Sequence, residues 1–411
     1  MTLREEADII IKEALKEVMP DKAVKSALEN KKFDTGKLYV VAAGKAGWQM
    51  MKTAADVLLN QIEKGICITK YGHVKELIPG IICLEAGHPV PDENSFAATQ
   101  MVIEMVENLK KEDTVIFLLS GGGSALFEKP LVSGDELADI TKQLLACGAD
   151  ITEINTIRKR LSAVKGGRFA QICEPAHVYT VVLSDILGDP LDMIASGPAF
   201  PDTSTCEQAL DIVKKYQLKL SDEAINFIKQ ETPKELSNVE TVINGSVKNL
   251  CKAVEKECNR LGYESIFLTD QLSCEARAAG EFLSAIARSY QNSKKSIAFI
   301  AGGETIVHVT GNGKGGRNQE LALASAPGIL GLKETAIFSF GSDGTDGPTD
   351  AAGGYCDNET KKVLEEKNID IYQMLQNNDA YSALKQSDGL IITGATGTNV
   401  NDATVILIRR A

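Results

Sequence analysis

The feature of this sequence that most constrains its fold is an alternation of short apolar runs with longer helix-patterned stretches. Several runs, such as Thr114–Leu119, are continuously apolar rather than alternating with polar residues. Such runs indicate strands buried on both faces, as in the parallel sheets of α/β proteins. The sequence therefore predicts an α/β fold built from βαβ units. The predicted strands are Leu38–Ala43, Gly65–Thr69, Ile81–Glu85, Thr114–Leu119, Val178–Leu183, Ser265–Thr269, Ile297–Ala301, Thr305–Val309, Ala336–Phe340, Leu390–Thr393 and Thr404–Ile408.

The length of the chain predicts two domains, because 411 residues exceed what one hydrophobic core usually supports. The most polar stretch, Ser221–Val239, places the boundary near residue 235. The predicted domains are residues 1–235 and 236–411, and the last strand could pair with either sheet.

Composition excludes several classes of protein. A net charge of −12 argues against a nucleic-acid binder, which would present a basic face. No apolar run is long enough to span a membrane. Nine cysteines without a CxxC pair and only four histidines argue against a disulfide framework, a zinc ribbon or a multi-histidine metal centre. We therefore expect a cytoplasmic protein that acts on small molecules without a nucleic-acid or membrane partner.

Three glycine clusters follow predicted strands, where open α/β sheets bind ligands. In the first cluster, Gly44 and Lys45 lie between a strand and a helix, and Lys45 is predicted in the first helical turn. A bound anion would offset the unfavourable helix dipole there; an exposed lysine beside a tight turn is the alternative. The second cluster, Ser120–Ser124, allows backbone N–H groups to converge on phosphate oxygens, unless packing alone demands it.

The third cluster, Gly311–Gly316, matches GxGxxG between a predicted strand and a helix. A dinucleotide site is therefore one interpretation, although this pattern alone is weak. Lys314 and Arg317 add cations beside the loop and favour phosphate; a flexible surface loop is the alternative.

Acidic residues also follow strands. Asp185 and Asp189 come after one strand, and Asp343 and Asp346 after another. They could hold Mg²⁺ or accept a hydroxyl proton, but Asp-Gly pairs are also ordinary turn residues. Glu304 is a further candidate ligand.

His88 and a basic stretch are candidate substrate-binding elements. His88 lies in a segment whose simplest interpretation is a turn, with Asp92 capping the next helix. The stretch that contains Arg158 and Arg168 is either a solvated helix face or a place where a carboxylate or phosphate is captured.

Together these segments resemble the glycerate 2-kinase family, the class II glycerate kinases whose C-terminal half is called the MOFRL domain. The resemblance covers nearly the whole chain. It rests on Ala42–Ala46, Gly87–Asp92, Ser120–Ala125, Asn155–Lys159, Lys165–Arg168, Ser184–Asp185, Gly188–Pro190, Gly302–Glu304, Gly315–Glu320, Ser342–Gly347 and Thr393–Asn399.

The resemblance implies ATP- and Mg²⁺-dependent phosphorylation of D-glycerate at the 2-hydroxyl. It implies a Rossmann-like three-layer α/β/α domain and a second α/β domain, with the active site in the cleft between them, in a monomer or homodimer. Lys45 and Arg317 resemble the family's two catalytic cations. The residues themselves leave open which of Asp185, Asp189, Asp343 and Asp346 binds Mg²⁺ or takes the hydroxyl proton, and Asp185 and Asp189 are the predicted catalytic aspartates. The remaining expected site residues contact phosphate (Gly44, Ser120, Gly121, Gly122, Gly123, Ser124, Gly315, Gly316 and Asn318), substrate (His88, Arg158 and Arg168) or metal (Asp189, Glu304, Asp343 and Asp346).

Three alternatives stay open. The first is an NAD(P)-dependent oxidoreductase acting on a small hydroxy acid. The second is a nucleotide-binding module without turnover. The third is a kinase for another hydroxy acid, because one carbonyl or methylene alters few contacts.

Replacing Arg317 with alanine is expected to lower turnover sharply and leave the melting temperature nearly unchanged.

Overall fold

The structure is a computed structural model that describes residues 1–33 and 36–410. Its strands are β1 Leu38–Ala43, β2 Ile62–Lys70, β3 Ile81–Ala86, β4 Thr114–Leu119, β5 His177–Leu183, β6 Val239–Gly245, β7 Glu264–Leu272, β8 Ile297–Gly303, β9 Thr335–Gly341, β10 Gly353–Asp357, β11 Leu390–Ile391 and β12 Asp402–Ile408. Its α-helices are α1 Leu3–Glu17, α2 Pro20–Leu28, α3 Gly47–Leu58, α4 Glu93–Val106, α5 Gly123–Leu126, α6 Gly134–Ala146, α7 Ile151–Arg160, α8 Arg168–Ile172, α9 Cys206–Tyr216, α10 Asp222–Ile228, α11 Val247–Arg260, α12 Ala276–Ser289, α13 Arg317–Ile329, α14 Thr360–Glu366, α15 Ile371–Gln376 and α16 Ala380–Gln386.

The chain divides into two compact units. The N-terminal unit consists of Ala23–Ser184 and Asp189–Asn244, and the C-terminal unit of Met1–Lys22, Asp185–Gly188 and Gly245–Ala411. The division at residue 245 lies beyond the predicted boundary at 235, because β6 still belongs to the first sheet. Helix α1 belongs with the C-terminal unit, where it packs on α11, although sequence position placed it in the first domain.

The sheet of the N-terminal unit has the strand order β3-β2-β1-β4-β5-β6. The pairs β2–β3, β1–β2, β1–β4 and β4–β5 are parallel. Strands β1 and β4 are buried along their whole length, as their continuous apolar runs predict. The strand order reverses between β1 and β4, so the loops that follow these two strands flank the crevice where such sheets bind ligands.

The sheet of the C-terminal unit is mixed, with the order β11-β10-β9-β12-β8-β7. Only its β7–β8 pair is parallel among the described pairs; β12 is antiparallel to both β8 and β9. The last strand therefore lies at the centre of the second sheet, which settles the alternative left open by the sequence. The expectation of βαβ units throughout is wrong here, because periodicity reports burial and not strand direction.

Three assignments of strands differ from the prediction. The segment 305–309 is not a strand and contributes only an isolated bridge between Ile306 and Glu275. Its residues are largely exposed, so their apolar character does not reflect burial in a sheet. Strands β6 and β10 were not predicted, because β6 is only half-buried and β10 begins with two glycines. No helix in the described part of the chain has both the length and the apolarity to cross a bilayer.

Candidate active site

The loops that follow β1 and β4 are bonded to each other. The backbone N–H of Lys45 donates to the Gly121 carbonyl at 2.9 Å, and that of Ala46 donates to Ser120 Oγ at 3.1 Å. Gly44 has φ of 128°, and a Cβ there would lie 2.2 Å from Ser120 Oγ. Helix α3 begins only after these residues, so Lys45 precedes the helix instead of lying in its first turn.

Gly122 is the point where this loop meets two predicted substrate-binding side chains. A Cβ at Gly122 would lie 3.0 Å from His88 Cδ2 and 3.1 Å from Lys45 Cγ. Burial lowers the pKa of His88, and the charge of Lys45 lowers it further, so the imidazole is neutral at pH 7. Asp92 caps α4 as predicted, with its carboxylate accepting from the Ser95 N–H.

Backbone donors of the glycine loop are available to a ligand. Gly122 has φ of 86°, and helix α5 begins at the next residue. Among the described residues, the N–H groups of Gly121, Gly122 and Ser124 have no protein acceptor. Successive N–H groups in such a turn form a concave site for an anion. The loop can therefore receive phosphate oxygens as the sequence suggested.

A buried ion pair below the loop was not predicted. Lys165 Nζ lies 2.7 Å from Glu128 Oε2, and both side chains are inaccessible to solvent. Burial lowers the pKa of Lys165 to about 8, although Glu128 opposes this shift. Arg158 Nη2 lies 3.9 Å from Glu128 and donates to the Ser124 carbonyl at 3.3 Å. Lys165 was visible in the basic stretch, but nothing in the sequence indicated Glu128 as its partner.

The rest of the basic stretch is buried, so it is not a solvated helix face. Lys159 pairs with Asp202 at 3.1 Å. Arg160 is inaccessible to solvent and lies 3.3 Å from Glu231. Arg168 Nη1 donates to three carbonyls near the end of α7, those of Lys159, Arg160 and Ser162. These contacts are those of a helix cap, and the predicted substrate contact of Arg168 stays a prediction.

Asp185 and Asp189 follow β5 in sequence, as predicted. Asp189 has φ of 52°, and its Oδ1 is buried without a hydrogen-bond donor among the described residues. A carboxylate oxygen of this kind is suited to a cation or to a substrate proton. The assignment of base and metal ligand between the two aspartates stays open.

In the C-terminal unit, Arg317 opens α13 and is held by two carboxylates. Its Nε and Nη2 donate to the two oxygens of Asp402 at 2.5 and 3.1 Å. Its Nη1 donates to Glu304 Oε1 at 2.9 Å. Burial opposes the charge, but the bonds and charges of Asp402 and Glu304 raise the pKa of Arg317. Asp402 was missed, because it lies 85 positions away in sequence.

Asp346 caps the same helix. Its two oxygens accept from the N–H groups of Asn318 and Gln319 at 3.1 and 2.9 Å. Burial raises the pKa of Asp346 to about 7, although these bonds act in the opposite direction. The side-chain oxygen Oδ1 of Asn318 accepts from Ser339 Oγ at 2.5 Å. Asn318 and Asp346, which the sequence predicted as phosphate and metal ligands, are thus hydrogen-bonded to other protein groups.

The GxGxxG loop is tied to a neighbouring turn. Gly313 N–H donates to the Asn377 carbonyl at 2.8 Å, and Gly311 N–H donates to Asn378 Oδ1 at 2.9 Å. Lys314 N–H donates to Asp379 Oδ1 at 3.1 Å. The loop also has no strand directly before it. Gly315 and Gly316 directly precede Arg317 and α13. The N–H groups of Gly311, Gly313 and Lys314 already donate to protein acceptors, so the dinucleotide interpretation loses its structural basis.

The remaining predicted metal ligand, Asp343, accepts from the Thr345 N–H at 2.9 Å in a local turn. Glu304 accepts from Asn401 as well as from Arg317. Within residues 1–33 and 36–410, no group of three or more His, Cys, Asp and Glu side chains is arranged to hold a metal ion.

The largely parallel sheet of the N-terminal unit, with a glycine loop where its strand order reverses, defines the class as an α/β protein. Residues 6–229 match the model of a domain of unknown function, DUF4147, and residues 297–402 match the MOFRL family. A D-glycerate 2-kinase from Thermotoga maritima is 50% identical over 99% of both chains. The chain therefore belongs to the glycerate 2-kinase family with a C-terminal MOFRL domain.

Other relatives support the same family, although they carry different names. A glycerate 2-kinase from Pyrococcus horikoshii is 39% identical and covers 99% of this chain and 98% of its own. A protein from Agrobacterium vitis, named provisionally as a hydroxypyruvate reductase, is 38% identical over 91% of this chain and 100% of its own. The crystal structure of a glycerate kinase from Thermotoga maritima has a TM-score of 0.96, with 99% of each chain covered.

Proposed function

We propose that this protein transfers the γ-phosphoryl group of ATP to the 2-hydroxyl of D-glycerate and releases 2-phosphoglycerate and ADP. The observation that carries the proposal is the 50% identity to a D-glycerate 2-kinase over 99% of both chains. The glycine loop of the N-terminal unit and the half-buried Arg317 of the C-terminal unit agree with it. We further propose a cytoplasmic location, in line with nine unpaired cysteines.

Phosphoryl transfer depends on positioning and charge neutralisation more than on covalent chemistry. The free N–H groups of Gly121, Gly122 and Ser124 would bind phosphate oxygens. Lys45 and Arg317 would stabilise the charge that spreads over the transferred group. Neutral His88 would form a hydrogen bond with the substrate, as donor or acceptor, without adding charge. Either Asp185 or Asp189 would take the proton of the attacking hydroxyl.

A magnesium ion fits this chain through Asp189, whose buried Oδ1 has no hydrogen-bond donor among the described residues. Glu304 and Asp346 fit less well, because Arg317 and the start of α13 already engage them. When bound, magnesium would neutralise part of the phosphate charge. We propose that the reaction depends on magnesium.

The test is ADP release from ATP and Mg²⁺ with D-glycerate, with enolase coupling to identify the product. Signal through enolase without added phosphoglycerate mutase means 2-phosphoglycerate. Signal only with mutase means 3-phosphoglycerate and contradicts the assigned hydroxyl. ADP release only with another hydroxy acid contradicts the substrate.

The oxidoreductase alternative is favoured by one observation, the similarity to the Agrobacterium vitis protein that is named as a hydroxypyruvate reductase. The bonded GxGxxG loop speaks against it. Oxidation of NADH or NADPH by hydroxypyruvate, followed by the loss of reduced-nicotinamide fluorescence, would distinguish the two. Turnover there without ADP release from ATP and D-glycerate would replace the kinase proposal.

A further inference from the structure

Lys165 and Glu128 are charged, fully buried and unused by the phosphoryl transfer proposed above. Neither Glu128 oxygen receives a hydrogen bond among the described residues, although Lys165 Nζ lies 2.7 Å from Oε2. Burying an ion pair costs desolvation, and replacing such pairs by apolar residues is often neutral or stabilising. Stability alone therefore gives no reason for this pair in the core of the N-terminal unit.

The bonds of Lys165 point to its role. Nζ donates to the Ser124 carbonyl at 2.8 Å and to the Phe127 carbonyl at 3.2 Å. Ser124 lies in α5, the single helical turn that follows the glycine loop. Lys165 thus anchors the carbonyl side of this turn, whose N–H groups face the other way.

The same turn is held on other sides. Arg158 Nη2 donates to the Ser124 carbonyl, 3.9 Å from Glu128. Ser124 Oγ lies 3.2 Å from Ser196 Oγ, and Ser196 has φ of 61°. Each of these contacts fixes the orientation of the peptide units after Gly123. Glu128 faces both cations with a single negative charge, so the three side chains together carry a net positive charge.

We propose that Lys165 and Glu128 are positioning residues that orient the Ser120–Ser124 loop and Arg158 for the anionic substrate. This inference rests on the proposed function. Lys165 does so by bonding the carbonyls, and Glu128 by holding Lys165 and Arg158 in place. The pair itself touches no reacting atom.

The decisive variant is the double substitution Glu128→Met with Lys165→Met, which removes both buried charges and keeps comparable volume. A pair needed only for folding would be replaced without loss of activity. We expect a melting temperature close to that of the wild type, with KM for ATP or D-glycerate raised at least tenfold. Wild-type KM and kcat in the folded double variant would overturn the inference.

Lys159→Met with Asp202→Asn is the matched control, because it also removes one buried cation and one buried carboxylate from the N-terminal unit. In the described part of the chain, no hydrogen bond or ion pair joins the side chain of Lys159 or Asp202 to the Ser120–Ser124 loop. The KM values of this control should therefore stay within twofold of the wild type. An equal rise in KM in the control would assign the effect to general loosening of the unit and overturn the inference.

A second variant covers failure of the double variant to fold. Glu128→Gln keeps the shape of the side chain and the carbonyl bonds of Lys165. We expect KM to rise severalfold, and an unchanged KM would overturn the role of Glu128. If the wild-type enzyme has no activity on D-glycerate, the proposed function is refuted instead. The variants are then compared with the wild type by the shift in melting temperature that ATP produces in each.

Discussion

Replacing Arg317 with alanine should lower both activity and stability, and the second effect comes from Asp402. Asp402 is 5% exposed and receives both bonds of the Arg317 fork. Removing one partner of a buried pair costs about 3–5 kcal/mol, because the other charge stays buried. Arg317 is itself 33% exposed, and a buried carboxylate without a partner can take up a proton. We therefore expect a loss of about 2–3 kcal/mol.

For a unit of about 200 residues, this loss lowers the melting temperature by about 5–10 °C. The sequence alone suggested a nearly unchanged melting temperature, because nothing in it indicated a buried partner for Arg317. The assay combines thermal unfolding with ADP release for Arg317→Ala and for Arg317→Ala with Asp402→Asn. The double variant should recover most of the stability and none of the activity.

Burial raises the pKa of Asp402, and the loss of Arg317 removes the bonds that oppose this shift. The stability deficit of Arg317→Ala should therefore shrink as the pH falls and the carboxyl takes up a proton. A single variant that melts like the wild type would refute the reasoning about the pair. A single variant with near-normal turnover would refute the role of Arg317 in phosphoryl transfer.

Three further predictions follow from the same contacts. Lys45→Met should lower kcat/KM about 100-fold or more with little change in melting temperature, since Lys45 is only half-buried; an active variant would exclude it from the reaction. Gly44→Ala should cost about 1–3 kcal/mol, because φ is positive and the Cβ meets Ser120, and denaturant unfolding that matches the wild type would contradict this. The pKa of Asp346 in the folded protein is raised to about 7 from an ordinary 3.8. Protonation of Asp346 therefore stabilises the folded state. This stabilisation is fully present below pH 3.8 and is lost as the pH rises through 7. The melting temperature of the wild type relative to Asp346→Asn should fall over that range, and a constant difference would refute the shift.

The sequence was sufficient for the strands with continuous apolar runs and for the loops that follow them. Leu38–Ala43 and Thr114–Leu119 occur with the predicted bounds, because burial on both faces leaves a local signature. Gly44 and Gly122 adopt positive φ, which glycine permits at little cost. The family, too, follows from motifs that are short and contiguous.

Pairing between distant residues was beyond the sequence. Nothing near Arg317 indicated Asp402, and nothing near Glu128 indicated that Lys165 would be its partner. The segment 305–309 has the composition of a strand but lies largely exposed. The direction and order of the strands in the second sheet also depend on contacts across the whole C-terminal unit.

The sequence by itself determined which segments are apolar, where backbone turns need glycine and which cations follow the strands, because each of these depends on neighbours along the chain. Only the tertiary structure decided which charges are paired. Within residues 1–33 and 36–410, the N–H groups of Gly121, Gly122 and Ser124 have no protein acceptor, whereas those of the Gly311–Gly313 segment donate to protein groups. The physical reason is that hydrogen bonds and ion pairs act over a few ångströms in space, and the fold alone determines which residues come that close.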